Sequence, residues 1–336
     1  MFYGRIVRIR RMAYQRGWLQ QQHLPKPVVS VGNLTVGGTG KTPFVMWIAH
    51  QLHAKGKRVA ILSRGYGRQD DSRNLMVSEG QGYVKDWRVS GDEPVMIAHH
   101  CPWAMVAVGP DRFRLGQWVL EQRPCDCFLL DDGYQHLSLY RDLDVVLFDT
   151  KDVQGLSGVV PAGRLREPLE GTRGAATFVM TRADSLSAIQ PVQRCIEESL
   201  GQAIHPIVVK SIPKGVQHLV SGKVQSLESI LNAALLLVSG IGNPQAFRDM
   251  LVDCGSKILE EIQFPDHCAY DQSEVRLIRR AMAQSNPEIV MTTEKDAVKL
   301  REWFTKDDPV WFLATELEFL AGEQQILDLL DGVGIE

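Results

Sequence analysis

No aspartate or glutamate occurs before Asp70 in this chain of 336 residues. Twelve Lys and Arg stand unopposed in residues 1–69, leaving 25 basic against 40 acidic residues for the remainder, so the net charge of −3 conceals a division. A block of one sign expects an anionic partner: nucleotide, phospholipid surface or nucleic acid. Cysteine is scarce. The six residues Cys101, Cys125, Cys127, Cys195, Cys254 and Cys268 form no CxxC pair, and no secretory signal is present. That argues against a disulfide scaffold and for reduced thiols in a cytosolic compartment. Cys125-x-Cys127 runs straight into an apolar strand and reads as core packing rather than a metal site. Internal repeats and low-complexity tracts are missing too, which removes solenoids and disordered linkers from consideration. With 44% hydrophobic and 23% charged residues the composition is globular, and the length suits two ordinary domains or one large one.

The N-terminal stretch lacks both the length and the neutrality needed to span a bilayer. Phe2, Tyr3, Ile6, Ile9, Met12, Ala13 and Tyr14 recur at helical spacing, with Arg5, Arg8, Arg11 and Arg16 largely between them. The pattern predicts an interfacial amphipathic helix in residues 1–25, burying aromatics among acyl chains while arginines meet lipid phosphates. A helix packed on its own domain is the alternative. A transit peptide fits less well, because nothing resembling a cleavage site precedes the next domain.

What is abundant is glycine between an apolar run and a helix. Pro27-Val-Val-Ser-Val31 leads into Gly32-Asn-Leu-Thr-Val-Gly-Gly-Thr-Gly-Lys-Thr-Pro43, and Phe44 to Leu52 continues as a helix. Strand, loop and helix in that order make a phosphate loop: backbone N–H groups and the helix dipole meet phosphate oxygens, Lys41 adds a point charge, and Thr42 offers a hydroxyl to Mg²⁺. Thr35, Gly37, Gly38, Thr39, Gly40, Lys41 and Thr42 are the expected nucleotide contacts. The strict pattern G-x-x-x-x-G-K-S/T is missed once, at Thr35.

Continuous apolar runs at 27–33, 58–64, 104–109, 127–133, 144–149, 176–181 and 206–210 predict strands covered on both faces. They imply a mainly parallel sheet in a three-layer α/β/α sandwich of the P-loop NTPase type over residues 26–212. Ligands of such sheets sit at the strands' carboxyl ends. There Cys127-Phe-Leu-Leu-Asp131-Asp132 reads as a Walker B strand whose Asp131 or Asp132 holds Mg²⁺. His136 just beyond could orient Asp132 or the substrate, or be structural. Gly65-Tyr66-Gly67-Arg68 with Arg64 is either a plain turn or a contact to a phosphorylated substrate. Gly91-Asp92-Glu93-Pro94 sets two carboxylates before a helix, where they serve as caps or in chemistry, and Asp111-Arg112 carries the same ambiguity. A Gly/Pro-rich loop from Gly155 to Pro168 carries Arg164, Arg166 and Glu167, and loops of that size inside a domain are usually functional.

Residues 213–231 read as a linker hairpin, and residues 232–336 as a second, smaller α/β domain. Its Gly240-x-Gly242 turn is a weak nucleotide signal; His267 is either a solvated loop histidine or, with Asp266 and Tyr270 beside it, one with a role, and the strand from Ile289 ends in a Lys295/Asp296 pair after Glu294. On residues alone the chain is an Mg·NTP-dependent phosphotransferase or NTPase whose acceptor is open. Val36 stands where a deviant-Walker partitioning ATPase has lysine, and Thr293-Glu294-Lys295-Asp296 only imitates the N-K-x-D motif of a GTPase.

Taken together, Gly37-Gly-Thr-Gly-Lys-Thr-Pro43, Ser63-Arg-Gly-Tyr-Gly67, Gly91-Asp-Glu-Pro94, Asp131-Asp-Gly-Tyr-Gln-His136, Gly163-Arg-Leu-Arg-Glu-Pro168, Phe264-Pro-Asp-His267 and Thr293-Glu-Lys-Asp-Ala-Val298 resemble the tetraacyldisaccharide 4′-kinase family of Gram-negative bacteria over nearly the full length. The resemblance implies transfer of the ATP γ-phosphate to the 4′-hydroxyl of a lipid-linked glucosamine disaccharide 1-phosphate at the cytoplasmic face of the inner membrane. It implies that Asp92 is the base, that His267 reaches over from the second domain to orient it, and that ATP and Mg²⁺ are the cofactors. It further implies that Arg64, Tyr66, Glu93, His136, Arg166 and Glu167 face the substrate. No nucleic acid and no obligate protein partner are expected. The competing expectation is a membrane-recruited P-loop ATPase switch acting with a protein partner.

Overall fold

The computed structural model describes residues 2–82 and 84–335, with side chains from Gly4 onward, so Phe2 and Tyr3 of the expected apolar face lie outside the described side chains. In chain order the elements are α1 (Phe2–Gln15), β1 (Val28–Asn33), α2 (Lys41–Ala54), β2 (Val59–Ser63), β3 (Leu75–Glu79), α3 (Trp87–Ser90), α4 (Asp92–His100), β4 (Met105–Val108), α5 (Arg112–Gln122), β5 (Cys127–Asp131), β6 (Leu143–Asp149), β7 (Thr177–Thr181), α6 (Gln190–Leu200) and β8 (Ile207–His218). There follow β9 (Val224–Gln225), β10 (Ala234–Ser239), α7 (Pro244–Asp253), β11 (Lys257–Gln263), α8 (Gln272–Ser285), β12 (Ile289–Thr293), α9 (Glu294–Leu300), β13 (Val310–Ala321) and α10 (Glu323–Gly332).

The chain divides into two compact units, and the division is not contiguous. The first comprises Met1–Lys85, Ile97–Ser211 and Leu317–Glu336; the second comprises Asp86–Met96 and Ile212–Glu316. The short segment carrying Asp92 therefore groups with the second unit, not with the strands that flank it in sequence.

In the first unit the strand order is β8-β7-β6-β1-β5-β2-β4-β3. Every neighbour pair is parallel except the edge strand β3, which runs antiparallel to β4. The connection from β1 through α2 to β2 moves one way along this order, and that from β4 through α5 to β5 moves the other. Right-handed crossovers in opposite directions put their helices on opposite faces. Core side chains alternate accordingly: Ala60, Leu62, Phe128 and Leu130 pack with Leu115 and Val119 of α5, while Val146, Phe148 and Met180 pack with Val192 and Ile196 of α6.

In the second unit β11-β10-β12-β13 form parallel neighbours. Leu236, Val238 and Val290 face α8 and α9, and Leu235, Leu237 and Met291 face Phe247 and Leu251 of α7. The end of β8 pairs antiparallel with β9, Val216 opposite Gln225 and Gln217 opposite Val224.

Candidate active site

The loop after β1 is shaped by two glycines that need positive φ: Gly37 at 118° and Gly40 at 77°. Thr35 is not among the positive-φ residues, so the position where the strict motif has glycine tolerates a side chain here. Gly40 caps α2 in the left-handed conformation with no side-chain hydrogen bond, and the first turn holds no acid. The opening N–H groups of α2 are thus uncapped by any side chain, the arrangement that receives an anion.

The loop's carbonyls are drawn off in other directions. Arg164 Nη2 donates to Val36 O at 2.7 Å, Arg182 Nη2 to Gly38 O at 2.8 Å, and Thr181 Oγ1 to Thr39 O at 3.0 Å. Asp152 holds Arg164 at 3.2 Å and Asp149 holds Arg182 at 2.6 Å. A phosphate entering this loop meets donors rather than acceptors. Thr39 Oγ1 is buried and has no hydrogen-bond partner within the protein, as expected of a hydroxyl kept for a ligand. Arg182 and Asn33 were not singled out from sequence; Arg182 sits one residue beyond β7, where the carboxyl-end rule points.

Lys41 Nζ donates to Asn33 Oδ1 at 3.1 Å and lies 3.6 Å from Asp132. Asp131 ends β5 fully buried, accepting from Ser63 Oγ at 3.3 Å. The chain then turns at Asp132, whose φ is 53°. Burial alone would raise the Asp132 carboxyl, and Lys41 with Arg166 overcomes it and holds it below the usual range. Arg166 Nη1 reaches Asp132 Oδ2 at 3.0 Å, so the arginine expected to meet substrate is bound here to one of the two acids expected at the metal.

Two other expected substrate contacts are committed inside the protein. Glu167, 2% exposed, takes Arg11 of α1 in a fork with distances of 2.7 and 3.0 Å. This turns its carboxylate into the anchor of α1. His136 Nε2 accepts the Arg112 backbone N–H at 3.2 Å; burial first, then the charge of Arg112, pushes its pKa down to about 4. His136 is therefore a neutral structural imidazole. Asp111 resolves as the N-cap of α5. Arg112 is buried, its pKa pushed down to about 10 by desolvation against the pull of Asp131 and Asp132. Arg64 and Tyr66 are exposed, at the end of β2 and in the loop that follows it.

In the second unit Asp92 and Glu93 form the first turn of α4, entered through Gly91 at φ 90°. His267, in the left-handed conformation with φ 61°, sets Nδ1 3.1 Å from Asp92 Oδ2. The pair is thus not split between the two units; Asp92 and His267 share one. Two lysines of α9 flank it: Lys295 Nζ lies 3.1 Å from His267 Nε2, and Lys299 Nζ lies 3.1 Å from Asp92 Oδ2. An ammonium only donates, so Nε2 accepts and Nδ1–H points at Asp92. Burial would raise the Asp92 carboxyl, but the His267 hydrogen bond and the charges of Lys299 and Lys295 hold it well below the carboxylate range. The hydrogen bond to Asp92 raises His267 in turn, against burial and Lys295. Glu93 lies 3.6 Å from Lys295. Gly240, part of the weak glycine turn, donates its N–H to buried Asp296 at 2.9 Å; a Cβ there would stand 2.9 Å from the Tyr270 hydroxyl oxygen, so its glycine serves packing.

Among the described residues no group of three or more His, Cys, Asp and Glu could hold a metal alone. A cation shared between one or two carboxylates and nucleotide phosphates needs no such cage.

The family model for tetraacyldisaccharide-1-P 4′-kinase matches residues 1–333. The tetraacyldisaccharide 4′-kinase of Geobacter sulfurreducens is 40% identical over 321 residues, covering 94% of this chain and 86% of its own. That of Pelobacter propionicus is 39% identical over 305 residues, covering 89% and 81%. A crystal structure of the Aquifex aeolicus kinase in complex with ATP superposes with a TM-score of 0.77 at 32% identity, covering 99% of this chain and 96% of that one. A P-loop of this geometry in a match of this length leaves one assignment: the chain belongs to the tetraacyldisaccharide 4′-kinase family.

Proposed function

We propose that this protein transfers the γ-phosphate of ATP to the 4′-hydroxyl of a tetraacylated glucosamine disaccharide 1-phosphate, a step of lipid A biosynthesis. The observation that carries the reading beyond nucleotide binding is the Asp92–His267 pair at 3.1 Å, with Asp92 buried and two lysines flanking the pair. An ATPase switch needs to position water only; a buried carboxylate fixed on several sides suits a sugar hydroxyl that must be aimed.

The loop N–H groups and Lys41 bind the phosphates. Thr42 with Asp131 or Asp132 would hold Mg²⁺, which supplies charge neutralisation at the phosphates when bound. Asp92 accepts the hydroxyl proton as the new O–P bond forms and the bond to ADP breaks. A carboxylate held so far below neutrality is a weak base. That is sufficient where the transition state is loose and the proton leaves late, because the main task is then to orient the attacking oxygen. His267 keeps the carboxylate turned.

No helix among the described residues is long and apolar enough to cross a membrane. The reading of α1 as a peripheral contact to the cytoplasmic face of the inner membrane is supported by Ile6 and Ile9, 50% and 62% exposed on a helix that also carries four arginines. Arg64, Tyr66 and Glu93 remain the candidate substrate contacts.

The test is phosphorylation of the disaccharide 1-phosphate by ATP in detergent–lipid micelles. Asp92→Asn and Lys41→Ala should each lower turnover by about 100-fold or more while the protein stays folded. Unchanged turnover in Asp92→Asn would remove the base. Protein-stimulated ATP hydrolysis with no phosphorylated lipid would instead favour a switch.

A further inference from the structure

Lys299 is 1% exposed, yet it is one of the longest charged side chains the protein could bury. Its ammonium lies 3.1 Å from Asp92 Oδ2, 3.8 Å from Asp296 Oδ1 and 5.5 Å from the centre of the Tyr270 ring. Asp296 is itself fully buried; its Oδ2 takes the Gly240 N–H at 2.9 Å and the Thr293 hydroxyl at 2.7 Å, while its Oδ1, the oxygen nearer Lys299, lies beyond hydrogen-bond reach of the ammonium at 3.8 Å and has no hydrogen bond within the protein. The direct hydrogen bond from Lys299 goes to Asp92. Lys295 and Lys299 are four residues apart on α9 and so on one face of it, one lysine at each end of the Asp92–His267 pair.

Counting lone pairs separates the two Asp92 oxygens. Oδ2 accepts from both Lys299 and His267 Nδ1 at 3.1 Å and has no acceptor capacity left. Oδ1 accepts the Glu93 backbone N–H at 2.9 Å, with His267 Nδ1 farther at 3.3 Å. We infer that Lys299 is a positioning residue of the transfer: by holding Oδ2 from the buried side it fixes the carboxylate plane and leaves Oδ1 as the atom that takes the acceptor proton. In the step, the sugar O–H proton moves to Oδ1, the sugar oxygen bonds the γ-phosphorus, the bridging P–O bond breaks to release ADP, and the proton then passes to water. The inference rests on Asp92 being the base.

Without Lys299 the carboxylate keeps its burial and loses its nearest cation. The charged groups still acting on it are His267 from the loop after β11 and Lys295, and around these lie Glu93 and Asp266 against Lys295 and Asp296 on α9. Three of these are acids, so the loss favours the protonated, inactive carboxyl.

The experiment is the pH profile of kcat, from pH 5 to 9, for the full-length enzyme and Lys299→Met. The variant should show kcat lowered about tenfold or more, KM for ATP unchanged within about twofold, and an acid limb moved up by at least about one pH unit into the measured range. A lysine needed only for packing would lower the melting temperature without moving the acid limb. A folded Lys299→Met enzyme with unaltered kcat and acid limb overturns the inference. Should Lys299→Met fail to fold, the profile of Lys299→Gln, of similar length and polar at its tip, decides by the same criterion. Asp92→Asn separates the two levels: turnover retained there removes the base itself, whereas a dead Asp92→Asn beside a normal Lys299→Met removes only the role given to Lys299.

Discussion

Asn33 illustrates how a single amide can set a phosphate site. Its Oδ1 takes Lys41 Nζ at 3.1 Å, and its Nδ2 donates to Thr35 O at 2.9 Å, so it ties the lysine to the loop it serves. Remove the amide, and the nearest remaining partner is Asp132 at 3.6 Å, which pulls the ammonium toward an acid and away from an incoming phosphate. A hydrogen bond to a charged group is worth about 1.5–3 kcal/mol. Asn33→Ala should therefore weaken ATP binding by about tenfold or more in calorimetry, with little change in melting temperature; unaltered affinity would show that Asn33 serves only the turn. Lys41 and Thr42 were legible because motif spacing fixes their place. Asn33 was not, since an asparagine after a strand reads as an ordinary turn residue and nothing local says its side chain folds back eight residues. The same limit applies to Glu167 and His136, whose types suited a substrate site but whose partners Arg11 and Arg112 are fixed by tertiary folding.

At the scale of the element, α1 docks in a manner its sequence pattern does not suggest. The apolar face reads as one that buries among acyl chains, and in the protein itself Ile6 and Ile9 are exposed while Arg11 is the buried side chain, 9% accessible. Its guanidinium pairs with Glu167 and lies 4.7 Å over the Tyr134 ring. A fork of this kind, once desolvated, cannot lose one partner cheaply: breaking a buried pair costs about 3–5 kcal/mol. The isoleucines, by contrast, are half or more exposed in the folded protein. Arg11→Ala should expose residues 5–16 to trypsin far faster than in the native chain. The double change Ile6→Asp with Ile9→Asp should leave stability within about 0.5 kcal/mol while lowering affinity for anionic vesicles by about tenfold or more. If the double variant still binds such vesicles normally, the membrane reading of α1 fails. Glu167 also takes the Gln135 amide at 3.3 Å, and Gln135 donates to Asn33 O at 2.7 Å, so the anchor of α1 and the holder of Lys41 share one side chain.

For the molecule as a whole, the continuous apolar runs carried the parallel sheets well, because strands covered on both faces must be apolar throughout. Two things escaped that reading. β3 is a short antiparallel edge strand next to a glycine turn, too brief for a periodic signal, and the segment Asp86–Met96 joins the second unit through ion pairs with residues about 200 positions away. The consequence of the division is that acid should act on the two units differently. His136 in the first unit has its pKa lowered to about 4 by burial and Arg112, while the unfolded chain binds that proton near 6.5. A base with depressed folded pKa contributes stability above the unfolded value and loses it as pH falls through the window from 6.5 to 4, by about 3 kcal/mol at most. In the second unit His267 is raised, so its contribution is complete below 6.5 and fades only as pH rises above it; Asp92, depressed, keeps its contribution until pH falls below about 4. Between pH 6.5 and 4 the first unit should therefore weaken while the second holds. Hydrogen exchange compared at pH 7 and pH 5, corrected for the intrinsic rate, reads this directly: protection should drop at Leu129 and Val146 of the first core and persist at Leu236 and Val290 of the second. His136→Gln keeps an acceptor for the Arg112 N–H without a titrating ring, and it should flatten the loss in the first unit. An equal loss with and without His136 would assign the acid sensitivity to other groups and leave this imidazole with packing alone.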